Sequence, residues 1–266
     1  MRCWWTILLA TAVLATEPQT YVVAVGVESY KDANISTLKC SVGDAKAFAE
    51  AFLKAGVPAA NVTLLTSDQT DHDRLPRKSD ILFALQRYRG KAVEADTLIF
   101  FFAGHGVEQD GQAWLLTFDS VREQLADTAV PESSIRETLG RMRGKSLLFI
   151  DTCFAGNALG TFRSASRELA RLANELASSE NGVVVFASSS GRQLSEERDE
   201  WGNGAFTKSV VEGLSGKADL TRTGRITFKA LDFYVSEEVR RLTSGRQTPV
   251  TISPAGVPDF TVARVI

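Results

Sequence analysis

The chain has 266 residues, of which 44% are apolar, 23% charged and 9% aromatic. That composition belongs to one ordinary globular domain or at most two, and excludes a disordered chain or a repeat array. Lys and Arg number 30 against 32 Asp and Glu, and the formal charge of −2 carries no basic footprint for nucleic acid; 3 cysteines and 2 histidines are too few for a disulfide scaffold or a Cys/His zinc cluster.

The N-terminal stretch MRCWWTILLATAVLATEPQT places Arg2 ahead of an uncharged run from Cys3 to Thr16, with small residues at Ala10, Ala12 and Ala15. This layout predicts a secretory signal peptide over residues 1–15, cleaved after Ala15, and hence a secreted or periplasmic protein whose folded domain occupies 16–266. The run is shorter than the roughly 20 apolar residues that span a bilayer, so no stable membrane anchor is expected.

From Tyr21 onward short apolar runs alternate with amphipathic segments, the sequence form of an α/β fold with a mostly parallel sheet. The first strand is expected at Tyr21 to Val27. Next, Val42, Ala45, Phe48, Ala49, Phe52 and Leu53 recur at helical spacing, and Gly56 stands where a helix end favours a left-handed residue. Further strands are expected at Asn61 to Leu65, Thr97 to Ala103, Ser146 to Asp151 and Gly182 to Ala187, with extended pieces at Ala113 to Thr117 and Arg225 to Thr227. Helical patterns run over Ser79 to Val93, Glu132 to Met142, Arg163 to Ala177, Gly204 to Leu214 and Phe228 to Leu242. The apolar runs are continuous, as in strands buried on both faces. Polar stretches separate the elements at Ser67 to Lys78, Asn157 to Ser166 and Ser188 to Asn203, with no internal repeat or interdomain linker.

Two strand ends carry the chemistry. Thr97 to Ala103 runs directly into Gly104-His105-Gly106, and Ser146 to Asp151 runs into Thr152-Cys153. Open α/β sheets bind ligands beyond the carboxyl ends of their strands, so neighbouring strands would bring a thiol and an imidazole to one crevice. The imidazole would generate the thiolate and later protonate a leaving amine. The N–H groups of Gly106 and Cys153 could form an oxyanion hole. Acyl transfer is the chemistry this pair suggests. A nucleotide-binding reading fails because no glycine-rich phosphate loop follows the first strand.

The motifs FFAGHG and LLFIDTCFAG, together with YVVAVGVESY, SVGDAKAFAEAF, FASSS, GNGAFTKSVVEGLSGKAD and RQTPV, resemble the caspase-like cysteine peptidases, in particular the bacterial metacaspase and orthocaspase branch. The resemblance covers most of the chain after the leader. It implies a caspase-haemoglobinase fold, a His105–Cys153 dyad, and protein or peptide substrates cleaved after Arg or Lys. Asp44 and Asp151 match the family's carboxylates that bind the substrate's cation. The family's DSCHSG is DTCFAG here, with Phe154 and Ala155 in place of His and Ser. Ala103 stands where many members have Ser. Some metacaspases need calcium, which makes calcium the one cofactor the resemblance raises; only Glu108, Asp110 and Asp119 offer acidic ligands after His105, so no metal ligands are assigned.

Each site residue has a plainer alternative. Cys153 could be a buried structural thiol, or pair with Cys40 in an oxidising compartment. His105 could be a turn residue. Ser41 and Asp44 could form a capping box, with Ser41 as N-cap. His72 reads as a solvated loop histidine. Arg163, Arg167 and Arg171 are candidate self-cleavage sites or a solvated helix face. The rival to a peptidase is a caspase-fold pseudoenzyme acting as a binding or scaffold module.

Overall fold

The computed structural model describes residues 17–152, 182–189, 195–196 and 201–265. In chain order its elements are β1 (Thr20–Gly26), α1 (Ser41–Lys54), β2 (Val62–Thr66), α2 (Lys78–Lys91), β3 (Thr97–Gly104), β4 (Gly106–Gln109), β5 (Gln112–Leu115), α3 (Leu125–Thr128), β6 (Val130–Pro131), α4 (Glu132–Gly140), β7 (Lys145–Thr152), β8 (Val183–Ala187), α5 (Ala205–Glu212), β9 (Arg225–Thr227), α6 (Phe228–Leu242), β10 (Val250–Ile252) and β11 (Thr261–Arg264). The main sheet has the order β10-β8-β7-β3-β1-β2. Its strands are parallel except β10, which runs antiparallel to β8. Successive side chains of a strand point to opposite faces. Leu98, Phe100 and Phe102 of β3 therefore join one core with Leu85 and Leu139 of α2 and α4. Ile99 and Phe101 join the other, with Phe48, Phe206 and Val235 of α1, α5 and α6. Burial on both faces is what the continuous apolar runs predict. Aromatic packing binds the second core: Phe48 stacks on Phe101 at 4.4 Å, and Phe149 on Phe186 at 4.6 Å.

Among the described residues, the expected strands and helices appear with ends shifted by at most two residues. Gly56 has φ 87°, the left-handed end its type predicted. Two differences are informative. The extended pieces at 113–117 and 225–227 belong to separate small sheets, β4-β5-β6 and β9-β11, whose other strands are two to four residues long. So short a strand carries no readable periodicity. The fourth expected helix (163–177), like the leader, Cys153, and most of the polar stretch at 188–203, lies outside the described residues. Finally, α1 is not capped by Ser41. Its N-cap is Cys40 without a side-chain cap, and Glu28 Oε1 instead accepts the Val42 N–H at 2.9 Å. Gly26 makes this junction close: a Cβ there would stand 2.3 Å from Ser41 O, so only glycine lets the first turn of α1 meet the carboxyl end of β1.

Candidate active site

Parallel register brings the two chemistry-bearing strand ends to one level. Ala103 pairs with Asp151 and Gly104 with Thr152, on strands about 4.8 Å apart. His105 follows directly on the first strand. Cys153 follows Thr152 in sequence and lies outside the described residues.

His105 is 1% exposed and held on three sides by the loop between β1 and α1. Its backbone N–H donates to Tyr30 Oη at 3.0 Å, and that hydroxyl lies 3.3 Å from Val27 O. The Tyr30 ring stacks on the imidazole, with centroids 5.4 Å apart. Nε2 lies 2.9 Å from Ser36 O and 3.3 Å from Ser36 Oγ. A carbonyl oxygen only accepts, so Nε2 carries a proton, and in the neutral ring Nδ1 holds the basic lone pair. The next residue is also fixed by its ladder. Leu116 N–H donates to His105 O at 2.9 Å, and Gly106 pairs with Leu115. Hydrogen-bonded and non-bonded pairs alternate in an antiparallel ladder, so the Gly106 N–H points away from β5.

The acidic pair lies on the α1 and α5 side of the sheet. Asp44 is 3% exposed, and its Oδ1 accepts from Asn203 Nδ2 at 2.9 Å and Gly204 N–H at 3.1 Å. The capping-box alternative is therefore replaced by contacts about 160 residues away in sequence. Asp151, 7% exposed, accepts from Thr207 Oγ1 at 2.8 Å and Ser195 Oγ at 3.1 Å. Ser195 Oγ in turn lies 2.8 Å from Ser188 Oγ. Burial pushes the Asp151 carboxyl above the usual carboxylate range, against the opposing hydrogen bonds of Thr207, Ser195 and Ser188. Both carboxylates face the start of α5. A Cβ on Gly204 would stand 3.3 Å from Asp151 Oδ2 and 3.5 Å from Asp44 Oδ2. The missing side chain thus leaves one gap that two acidic oxygens border, a setting suited to a cation.

His72 is exposed in a short turn, with Nδ1 3.1 Å from Arg77 Nη2, as its sequence context predicted. Cys40 is partly exposed at the head of α1. Among the described residues no three His, Cys, Asp or Glu are grouped to hold a metal ion. Asp119 is engaged by Lys78 N–H and Thr117 Oγ1, and Asp110 sits in the turn between β4 and β5. Glu108, Asp110 and Asp119 form no such group. No helix among the described residues is long and apolar enough to cross a membrane. Two surface cavities, of about 560 and 580 Å³, lie elsewhere: the first at the starts of β1, β3 and β7, the second between β9 and α6.

Sequence reasoning missed Tyr30, Ser36, Ser195, Asn203, Gly204 and Thr207. Tyr30 lies within GVESY, and Asn203, Gly204 and Thr207 within GNGAFTKS, but none has a local pattern that reveals a partner so far along the chain.

Among curated proteins none matches the sequence. Solved structures do resemble the fold. Protein GSU0716 from Geobacter sulfurreducens aligns with a TM-score of 0.64 at 18% identity, covering 91% of this chain and 95% of its own. Caspase-1 from Spodoptera frugiperda aligns with a TM-score of 0.57 at 11% identity, covering 89% and 86%. The family model of the caspase domain matches residues 19–257, nearly the whole of the sheet and its flanking helices. The chain belongs to the caspase-domain family of cysteine peptidases.

Proposed function

We propose that the protein is an active cysteine endopeptidase that cleaves after Arg or Lys, with Cys153 as nucleophile and His105 as general base. The observation that carries the reading is the Gly104–Thr152 register, which ends two adjacent strands at one level immediately before the imidazole and the thiol. His105 Nδ1, left basic by the bond from Nε2 to Ser36 O, takes the proton from Cys153 Sγ as the sulfur attacks the scissile carbonyl carbon. The N–H groups of Gly106 and Cys153 donate to the developing oxyanion. The imidazolium then protonates the leaving amine as the C–N bond breaks, giving a thioester on Cys153. Water, deprotonated by His105, attacks that thioester and releases the acid and the thiol.

Asp44 and Asp151 select the residue before the scissile bond. An ion pair at about 4 Å gives roughly 4 kcal/mol at an effective dielectric near 20, before desolvation is subtracted. The forked guanidinium of Arg can meet both carboxylates, where Lys offers a point charge. The motifs RQTPV and GNGAFTKS support the metacaspase and orthocaspase branch. The apolar leader supports export to a secreted or periplasmic location, with the mature chain starting near Thr16. Self-cleavage, where it occurs, falls after Arg163, Arg167 or Arg171 and depends on Cys153.

The test is hydrolysis of fluorogenic peptides ending in Arg, Lys, Asp or Leu by wild type, Cys153→Ala and His105→Ala. The expected result is turnover of the Arg and Lys peptides by wild type alone, with all three proteins sharing one circular dichroism spectrum. Residual activity near wild type in either variant would remove the dyad assignment. A fully folded but inert wild type would favour a binding module.

A further inference from the structure

The RQTPV motif has no part in the mechanism above, yet it holds a fully buried amide. Gln247 is 0% exposed, and a buried amide is costly unless both of its polar ends are bonded. Both ends are. Its Oε1 accepts from Glu196 N–H at 2.8 Å, and its Nε2 donates to Ser188 O at 2.8 Å. Its own N–H donates to Thr243 Oγ1 at 3.1 Å, which ties it to the end of α6. The neighbouring Arg246 grips Glu196 from outside through two parallel bonds, Nε to Oε1 at 2.6 Å and Nη2 to Oε2 at 2.8 Å. Glu196 O also accepts the Ala205 N–H at 2.9 Å, fixing the strand of chain beside Gly204.

Gln247 bridges Ser188, which carries one of the hydroxyls near Asp151, and Glu196, the chain neighbour of Ser195, which carries another. Ser188 is bonded through its own carbonyl, and Ser195 is the residue before Glu196. We infer that Arg246 and Gln247 are positioning residues for substrate specificity, a clamp from the turn after α6 that sets the Ser188 and Ser195 hydroxyls against the Asp151 carboxylate. The inference rests on the proposed role of Asp151 as an anchor for the substrate's cation. Neither residue touches His105 in the geometry above, so the clamp acts on recognition and leaves the reactivity of the thiol alone.

The experiment compares wild type, Arg246→Ala, Arg246→Lys and Gln247→Glu. Arg246 is exposed, so its truncation is expected to leave the protein folded. Gln247→Glu keeps the acceptor for Glu196 N–H but loses the donor to Ser188 O. Three quantities are read: kcat and KM on an Arg peptide, the rate of Cys153 alkylation by iodoacetamide, and the thermal melting point. For Arg246→Ala the expected result is a KM raised about tenfold with kcat and alkylation changed less than about twofold, Arg246→Lys recovering part of the loss. Gln247→Glu is expected to raise KM further if its melting point is retained. A folded Arg246→Ala with wild-type KM, or one whose alkylation rate falls in step with its peptide turnover, would overturn the clamp. In that case the Arg preference of the wild type would still stand. A wild type without that preference would overturn both the anchor and the clamp.

Discussion

Asp151 is a carboxylate at the end of a strand that is otherwise apolar, surrounded by three hydroxyls and facing a second carboxylate across Gly204. Burial raises its pKa, so the folded protein holds this proton more tightly than the unfolded chain. The associated stability is complete below the unfolded value of about 4 and is lost as pH rises through the folded value. Asp151→Asn cannot ionise, and its melting point is expected to gain on that of wild type as pH rises from about 4 to 8. A difference between the two that does not vary with pH would mean that the buried charge is already fully compensated. On activity the same substitution acts in the opposite sense. Loss of one charge of a buried group of partners costs about 3–5 kcal/mol, or on the order of a hundred- to several-thousand-fold in kcat/KM on Arg peptides. Gly204→Ala tests the gap between the carboxylates directly. Its methyl would stand 3.3 Å from Asp151 Oδ2, so the carboxylate must give by a few tenths of an ångström, and the methyl occupies the proposed cation site. It is expected to raise KM for Arg peptides while leaving iodoacetamide alkylation unchanged. At this scale the place of His105 at the end of β3 was legible, because an imidazole between glycines after an apolar run has a readable local context. The partners of Asp44 were not, since a carboxylate three residues into a helix reads as a cap and its actual donors lie about 160 residues away.

The elements that place these side chains are two strand-to-helix junctions. The loop from β1 to α1 supplies Tyr30 and Ser36 to His105, and its start is fixed by Glu28, whose Oε1 caps α1 at Val42 N–H. Removing a helix cap costs about 1 kcal/mol, and Glu28→Ala is expected to lower the melting point by about 2–4 °C. A shift of that size with retained turnover would show the cap to be structural. A large loss of turnover at an unchanged melting point would instead place Glu28 in the chemistry. Strands with long apolar runs and helices with a clear apolar stripe were readable, Phe228–Leu242 to the residue. The short ladders were not: β6 and β10 have two and three residues, and their pairing is set by tertiary contact. The capping of α1 was unreadable for the same reason. Glu28 lies 14 residues before the Val42 N–H that donates to it, beyond any local signature of a helix start.

Across the whole molecule, the sheet is the platform, and its two cores fix the level at which β3 and β7 end. Phe149 is central to this, stacked on Phe186 and edge-on to Phe48. Phe149→Ala is expected to cost about 3–5 kcal/mol, read as a reduced urea midpoint with peptide turnover lost in parallel. The α/β class was readable from alternating runs because both faces of every central strand are buried, whereas the antiparallel edge strand β10 has no such run. The family match over 19–257 agrees with that architecture, and the chemistry then depends on what the strand ends deliver. The most direct measurement is mass-spectrometric mapping of the intact protein after reaction with a peptide chloromethyl ketone ending in Arg, beside the same reagent ending in Asp. The expected result is a single adduct on Cys153, absent when His105 is replaced by Ala, forming at least about a hundredfold faster with the Arg reagent. An adduct elsewhere, or equal labelling by the Asp reagent, would contradict it.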